Sequence, residues 1–235
     1  MQIIAIGDIH GRSNWIDIVN SNSSSNFIFL GDYVDPYSNE FIYFDESLEN
    51  LEVLIDFKRN YPKQISLLIG NHDAQYLFYP DFGTSAKATG EKLHKIMNLY
   101  QENKGLFQFA IQKGNYLFIH AGISNGWFNE YSKLLKYFGL NEDMSNLAIT
   151  INKIGRDLKW REVLDTISHH RRGFDKFGGP LWADRKELYN DFLTGFHQVV
   201  GHNKVVDIIK FGNSKSSITF CDCLFSKDKG LSLNI

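Results

Sequence analysis

Short apolar runs that each stop at a glycine set the pattern of the first half of the chain. Gln2–Ile6 runs into Gly7, residues 26–30 into Gly31 and residues 65–69 into Gly70. Continuous apolar runs of this length, bounded by turn residues, predict strands buried on both faces. Between them the period lengthens. Trp15, Ile16, Ile18 and Val19 predict a helix with Ser13 as its cap, and Leu48, Leu51, Leu54, Ile55 and Phe57 predict another over 46–60, closed by Pro62. Helices are also expected over 74–78 and 91–103. Alternation of strand and helix implies a parallel sheet covered by helices.

The second half reads differently. Residues 106–112 and 115–120 flank Lys113-Gly114 and predict a β-hairpin. From Gly126 to about Ser168 the spacing is helical, with Trp127, Phe128, Leu134, Leu135 and Phe138 on one side. His169 to Arg185 is glycine-rich and basic and reads as loop. Strands are expected over 197–200, 205–211, 216–223 and 231–235. A parallel half joined to a largely antiparallel half predicts an α/β (α+β) protein, with two sheets packed face to face and helices outside. We expect one domain over residues 1–235, with a mostly helical cap-like insertion at about 124–195.

Composition narrows the class of function. The 235 residues carry 25 Lys and Arg against 27 Asp and Glu, a formal net charge of −2. That balance offers no broad electrostatic surface to nucleic acid or to an anionic membrane. No apolar stretch approaches the ~18 residues of a membrane-spanning helix, and the first residues lack the basic and apolar regions of a signal peptide. The two cysteines, Cys221 and Cys223, are two apart on one expected strand and make no disulfide framework. A soluble, cytoplasmic protein is the expectation.

The chemistry gathers at the strand ends. Gly7-Asp8-Ile9-His10-Gly11, Gly31-Asp32-Tyr33-Val34-Asp35 and Gly70-Asn71-His72-Asp73 follow the first three strands, and two later apolar strands end in His120 and in Gly201-His202. Strand ends of a parallel sheet share one edge, so five loops far apart in sequence would meet there. Asp8 and His10 can hold a first cation. Asn71, His120 and His202 can hold a second, with Asp32 bridging the two. Oxygen and imidazole donors without thiolate suit manganese, iron, zinc or a similar ion. Two such ions can clamp a phosphate and lower the pKa of a bridging water, producing a hydroxide nucleophile at neutral pH. His72 is placed to protonate the leaving alcohol, and Asp35 to orient its ring. One at a time, an Asp or Asn beside glycine is an ordinary turn residue and a lone histidine an ordinary core residue. Five such loops in order are not.

The ordered set GDIHG, GDYVD and GNHD, with His120 and Gly201-His202, resembles the calcineurin-like metallophosphoesterases, and within them the phosphoprotein phosphatase branch of bacterial and phage Ser/Thr phosphatases. The resemblance runs from Gly7 to about Cys223. It implies a four-layer αββα sandwich of two mixed β-sheets flanked by helices, and two divalent metal ions, manganese first and iron, zinc or nickel as alternatives. It also implies a metal-dependent phosphatase for phosphomonoesters, acting on a phosphoprotein or a small phosphoester. A dinucleoside polyphosphate hydrolase or phosphodiesterase is the alternative, and an inactive phosphate-binding homologue a third reading. Gly179-Pro180-Leu181-Trp182-Ala183-Asp184-Arg185 resembles a segment lying beside the active site in that branch. Three positions depart from the pattern. Asp35 is followed by Pro36-Tyr37 where the phosphatases have Arg-Gly, removing an arginine that grips the substrate phosphate; Arg185, Arg12, Arg171 and Arg172 are the replacement candidates, Arg185 first. Asp73 stands in place of glutamate. Lys204 stands where nucleases and phosphodiesterases of the wider superfamily carry a second histidine.

Overall fold

The computed structural model describes residues 1–78, 82 and 87–235. The chain forms two five-stranded sheets. The first is built from β1 (Gln2–Ile6), β2 (Asn26–Phe29), β3 (Ile65–Leu68) and β4 (Phe107–Gln108), with β10 (Leu231–Asn234) at its edge, in the order β10-β1-β2-β3-β4. β1 to β4 pair in parallel and β10 runs antiparallel to β1. The second sheet, in the order β5-β6-β7-β9-β8, holds β5 (Ala110–Lys113), β6 (Tyr116–Ile119), β7 (His197–Val200), β8 (Ile209–Gly212) and β9 (Ser217–Phe220).

Side-chain alternation assigns the layers. Ile3, Ala5, Ile28, Leu30 and Leu68 of the first sheet are buried against Phe118, Val199 and Cys221 of the second, forming the seam between the sheets. Ile4, Ile6, Phe27, Phe29 and Leu67 point the other way. They meet α1 (Trp15–Asn20), which presents Trp15, Ile18 and Val19, and α2 (Phe44–Asn60), which presents Leu51, Leu54 and Ile55. α3 (Asn71–Phe78) and α4 (Gly90–Asn103) continue that layer. Between β6 and β7 come α5 (Asn125–Glu130), α6 (Ser132–Tyr137), α7 (Leu147–Arg156) and α8 (Arg185–Asp191). Leu117, Ile119, Val200, Ile218 and Phe220 face the same core as Trp127, Leu135, Ile151 and Leu188 of these helices. The result is the four-layer αββα sandwich. Both faces of every central strand are covered, and for that reason the strands read as unbroken apolar runs.

Four details differ from the sequence expectations. The apolar stretch 106–112 is not one hairpin arm: it divides at Phe109, β4 completing the first sheet and β5 opening the second. Asn152 of α7 causes the division, its side chain accepting from Phe109 N–H at 2.7 Å and donating to the Ala110 carbonyl at 2.8 Å in place of a neighbouring strand. The second sheet is mixed rather than largely antiparallel, since β6–β7 and β7–β9 pair in parallel. The strand expected over 205–211 begins only at Ile209. Asn14, not Ser13, is the N-cap of α1, with no side-chain cap bond; Ser13 contributes its carbonyl to Ile16 N–H at 3.0 Å.

Candidate metal centre

The C-terminal ends of β1, β2, β3, β6 and β7 bring Asp8, His10, Asp32, Asn71, His120 and His202 together. Two clusters have their ligand atoms within 4.8 Å of one another, Asp8–His10–Asp32 and Asp32–His120–His202, and Asp32 belongs to both. Tight turns produce this convergence. His10, Asp32, Asp35 and His202 all have left-handed backbone (φ 46°, 54°, 65° and 58°), which few non-glycine residues adopt and which collects at functional sites. Gly31, at φ 112°, lets two of the turns approach closely: a Cβ there would lie 2.5 Å from the Gly70 amide nitrogen and 3.0 Å from the His120 ring.

Hydrogen bonds fix which imidazole nitrogen faces the centre. His120 Nδ1 lies 2.8 Å from the Leu30 carbonyl, and His10 Nδ1 3.1 Å from the carbonyls of Val34 and Asp35. A carbonyl only accepts, so both rings carry their proton on Nδ1 and aim an Nε2 lone pair inward. Burial pushes the His120 pKa down to about 4, and burial, with the charges of His72 and Arg12, pushes His10 well down as well. Both are neutral imidazoles at neutral pH. His120 Nε2 then faces Asn71 Oδ1 at 3.0 Å and Asp32 Oδ2 at 3.6 Å, and His202 Nδ1 lies 2.9 Å from the same Asn71 oxygen. His10 Nε2 is 3.7 Å from Asp32 Oδ2 and 3.9 Å from Asp8 Oδ2.

The lone pairs of His120 Nε2 and Asn71 Oδ1 face each other here, and the buried carboxylates add to the strain. Burial, followed by the charges of Asp222 and Asp32, pushes the Asp8 carboxyl well up, and burial does the same to Asp32. Asp222 is itself fully buried beside them, with no hydrogen bond to either oxygen among the described residues. Convergent lone pairs and unneutralised carboxylates are the donor set a pair of divalent cations satisfies. Asp8, His10 and Asp32 could hold one; Asp32, Asn71, His120 and His202 the other.

His72 stands at the rim. Its Nδ1 is 2.8 Å from Asp35 Oδ2, its backbone N–H donates to Asp32 Oδ1 at 2.9 Å, and its ring is partly exposed. Asp35 is held in turn by the Tyr76 hydroxyl at 2.7 Å. Burial works against the charged ring, but the Asp32 charge and the bond and charge of Asp35 outweigh it, so the His72 pKa is raised.

The arginines divide. Arg12 is buried, its guanidinium donating to Glu40 at 2.7 Å and to the carbonyls of Asp8 and Ile9. Arg172 and Arg185 have exposed side chains, and Arg172 is the left-handed cap of a 3-10 turn. Arg171 is the member of its pair turned to the centre: it ion-pairs with Asp184 at 2.7 Å, donates to Asn203 at 2.7 Å, and its charge helps lower the His202 pKa. Trp182 packs edge-on to His202 at 5.6 Å, so the segment 179–185 lies against the loop of the last histidine. Sequence reasoning assigned no role to Asp73, Tyr37 or Asp222. Asp73 accepts the N–H groups of Asp32 (2.6 Å), Gly70 (2.8 Å) and Tyr33 (3.0 Å) and the hydroxyl of Tyr100, tying two of the turns together. Its place beside His72 in the third motif was the only signal.

Two layers of sheet between helices, with two Asp/His groups sharing Asp32 along one edge, offer a site at which a pair of divalent cations could be held. The calcineurin-like phosphoesterase family model matches residues 1–210, and the chain belongs to that family. It is 30% identical over 232 residues to the serine/threonine-protein phosphatase PP1-delta of Caenorhabditis elegans, covering 92% of this chain and 68% of that one. It is 26% identical to the serine/threonine-protein phosphatase 4 catalytic subunit of Saccharomyces cerevisiae, over 86% of this chain and 64% of the other. Other phosphatase relatives are spanned less fully, with 27% of the Candida albicans protein phosphatase PP2A-like PPG1 covered. The crystal structure of a cold-active protein-tyrosine phosphatase from a Shewanella species superposes with a TM-score of 0.53 at 16% identity, over 96% of this chain and 72% of that one, a likeness of fold. Among the described residues no helix is long and apolar enough to cross a membrane.

Proposed function

We propose that the protein is a Ser/Thr-type phosphatase that hydrolyses phosphomonoesters at this centre, with manganese as its metal. The observation that carries the reading is the shared Asp32 between two buried ligand groups, with His72 on Asp35 at the rim. Two divalent cations, when bound, neutralise phosphoryl charge and make water a nucleophile at neutral pH. The chain's own residues do the rest. Asp8, His10, Asp32, Asn71, His120 and His202 hold the ions. Asp35, fixed by Tyr76, keeps the His72 Nδ1 proton in place and favours the charged ring, the form able to give a proton to the leaving alkoxide. Of the expected cap over about 124–195, α5 to α8 cover the outer face of the second sheet, and the segment 179–185, whose Trp182 packs on His202, is the part placed to set substrate choice. The unbridged cysteines fit a cytoplasmic setting.

The test is metal analysis of the purified protein joined to a substrate panel with Mn2+: phosphopeptides, aryl phosphates, dinucleoside polyphosphates and cyclic nucleotides. Metal-dependent turnover of phosphopeptides or aryl phosphates is expected. Turnover confined to dinucleoside polyphosphates or cyclic nucleotides would replace the reading with the polyphosphate or diester one.

A further inference from the structure

A phosphate dianion seated at this centre needs a cation beyond the metals, and most of the chain's nearby cations are already engaged. Arg12 is tied to Glu40 and to two carbonyls. Arg171 is tied to Asp184 and Asn203. The Lys87 ammonium donates to the carbonyls of Asp35 at 2.9 Å and Pro36 at 3.0 Å. Arg172 and Arg185 are exposed and, among the described residues, without a side-chain hydrogen bond or ion pair, but neither rests on a ring that touches a candidate metal ligand; Lys204 does. Among the described residues it has no ion-pair or hydrogen-bond partner, and its side chain is exposed. Its ammonium rests 3.1 Å from the centroid of the Tyr37 ring and 5.0 Å from that of Phe225. The Tyr37 ring lies edge-on to His10 at 4.6 Å, and its hydroxyl is 3.2 Å from His10 Nε2, the nitrogen turned toward the first ligand group. Tyr37 therefore bridges from the metal ligands to a free cation at the lip.

We propose that Lys204, carried on the Tyr37 ring, is a substrate-binding residue whose ammonium takes a phosphoryl oxygen of the bound phosphomonoester. The assignment rests on the phosphatase reading above. It also explains how the loop 35–37 works without a basic residue of its own: Pro36 and Tyr37 supply a platform, and the charge comes from the loop after β7. A lysine is a point charge with three rotatable donors, where an arginine is a planar fork. The grip is a single contact that accepts phosphate in several orientations, so it favours breadth among phosphomonoesters over tight recognition of one.

The probe is inorganic phosphate, bound to the metal-loaded protein and followed by titration calorimetry, with metal content measured on the same samples. Lys204→Gln is expected to weaken phosphate binding about tenfold, the scale of one charge-assisted hydrogen bond, with metal content unchanged. Lys204→Arg is expected to retain most of the affinity. Tyr37→Leu, which removes the ring under the ammonium, is expected to cost a few-fold. In turnover of an aryl phosphate, Lys204→Gln is expected to raise KM more than it lowers kcat. Phosphate affinity within twofold of wild type in Lys204→Gln overturns the assignment, as does a loss accompanied by loss of metal or of folding. Should the wild-type protein show no metal-dependent turnover, the phosphatase reading falls, while the calorimetric comparison still decides whether Lys204 binds phosphate.

Discussion

Replacing Asp73 by asparagine removes one oxygen from a fully buried carboxylate that accepts from three backbone N–H groups and a phenol. Oδ2 takes the N–H of Asp32 and of Gly70, and Oδ1 takes that of Tyr33 and the Tyr100 hydroxyl. The introduced amide sits best with its nitrogen on the Oδ1 side, since the Tyr100 hydroxyl can turn and accept. Even so, the Tyr33 N–H loses its acceptor, and the two bonds on the other side fall from charge-assisted to neutral. An orphaned buried N–H costs about 1–3 kcal/mol, and each weakened bond about 1 more. Relief from burying a charge offsets part of this, leaving a net loss of about 2 kcal/mol, a substantial fraction of the ~5–15 kcal/mol of a typical domain. Urea unfolding in chelator should show the midpoint falling at unchanged slope. Because the Asp32 turn is held by this carboxylate, metal affinity should fall as well, read by metal content after dialysis. An Asp73→Asn protein within ~0.5 kcal/mol of wild type, with full metal content, would refute the assignment of Asp73 as the tie between the two turns.

Three further outcomes follow from the geometry. Asp32→Asn should reduce binding of both cations, and Asp8→Asn chiefly that of one, as metal analysis of the dialysed proteins would show; equal losses in the two variants would contradict the shared position of Asp32. His72→Ala should keep its metal yet lose rate, by about 10²–10⁴-fold on alkyl phosphates and less on aryl phosphates with good leaving groups; unaltered alkyl phosphate turnover would remove His72 from the reaction. Burial pushes the Asp165 carboxyl up to about 7 against the opposing bond from Trp182 N–H. The folded state thus holds a proton that the unfolded chain has already released. The Asp165 contribution to stability should be full below about pH 4 and decline as pH rises through about 7, by roughly 2–4 kcal/mol. Asp165→Asn should flatten that decline, as urea midpoints at pH 5 and pH 8 would reveal.

Much of the centre was legible because its ligands sit where apolar runs stop. A strand that ends in Gly-Asp, Gly-Asn or His announces both the element and the edge, and five of the six candidate ligands stand at that signal, His10 following two places after Asp8. What the pattern could not carry was anything decided by a side chain arriving from elsewhere. The run through Phe109 has no turn residue to mark a break, and it is Asn152, some forty positions later, that takes the backbone groups where the chain changes sheets. Arg171 and Arg172 are indistinguishable in sequence, and a left-handed backbone at Arg172 separates them. Lys204 and Tyr37 lie far apart along the chain, and no periodicity links a lysine after one strand to a tyrosine after another.

The two ligand groups are not equivalent in where their residues come from. Asp8, His10 and Asp32 all follow strands of the first sheet, whereas Asp32, His120 and His202 draw on both sheets. An ion in the second group is thus a rivet driven through the joint of the sandwich, while an ion in the first fastens only one leaf to itself. A protein stripped of its second ion keeps its halves together by packing and by bonds such as His120 to the Leu30 carbonyl. Separating the leaves should therefore be easiest with the second group empty, and resistance to proteolysis along the joint should follow occupancy of the second group rather than the first.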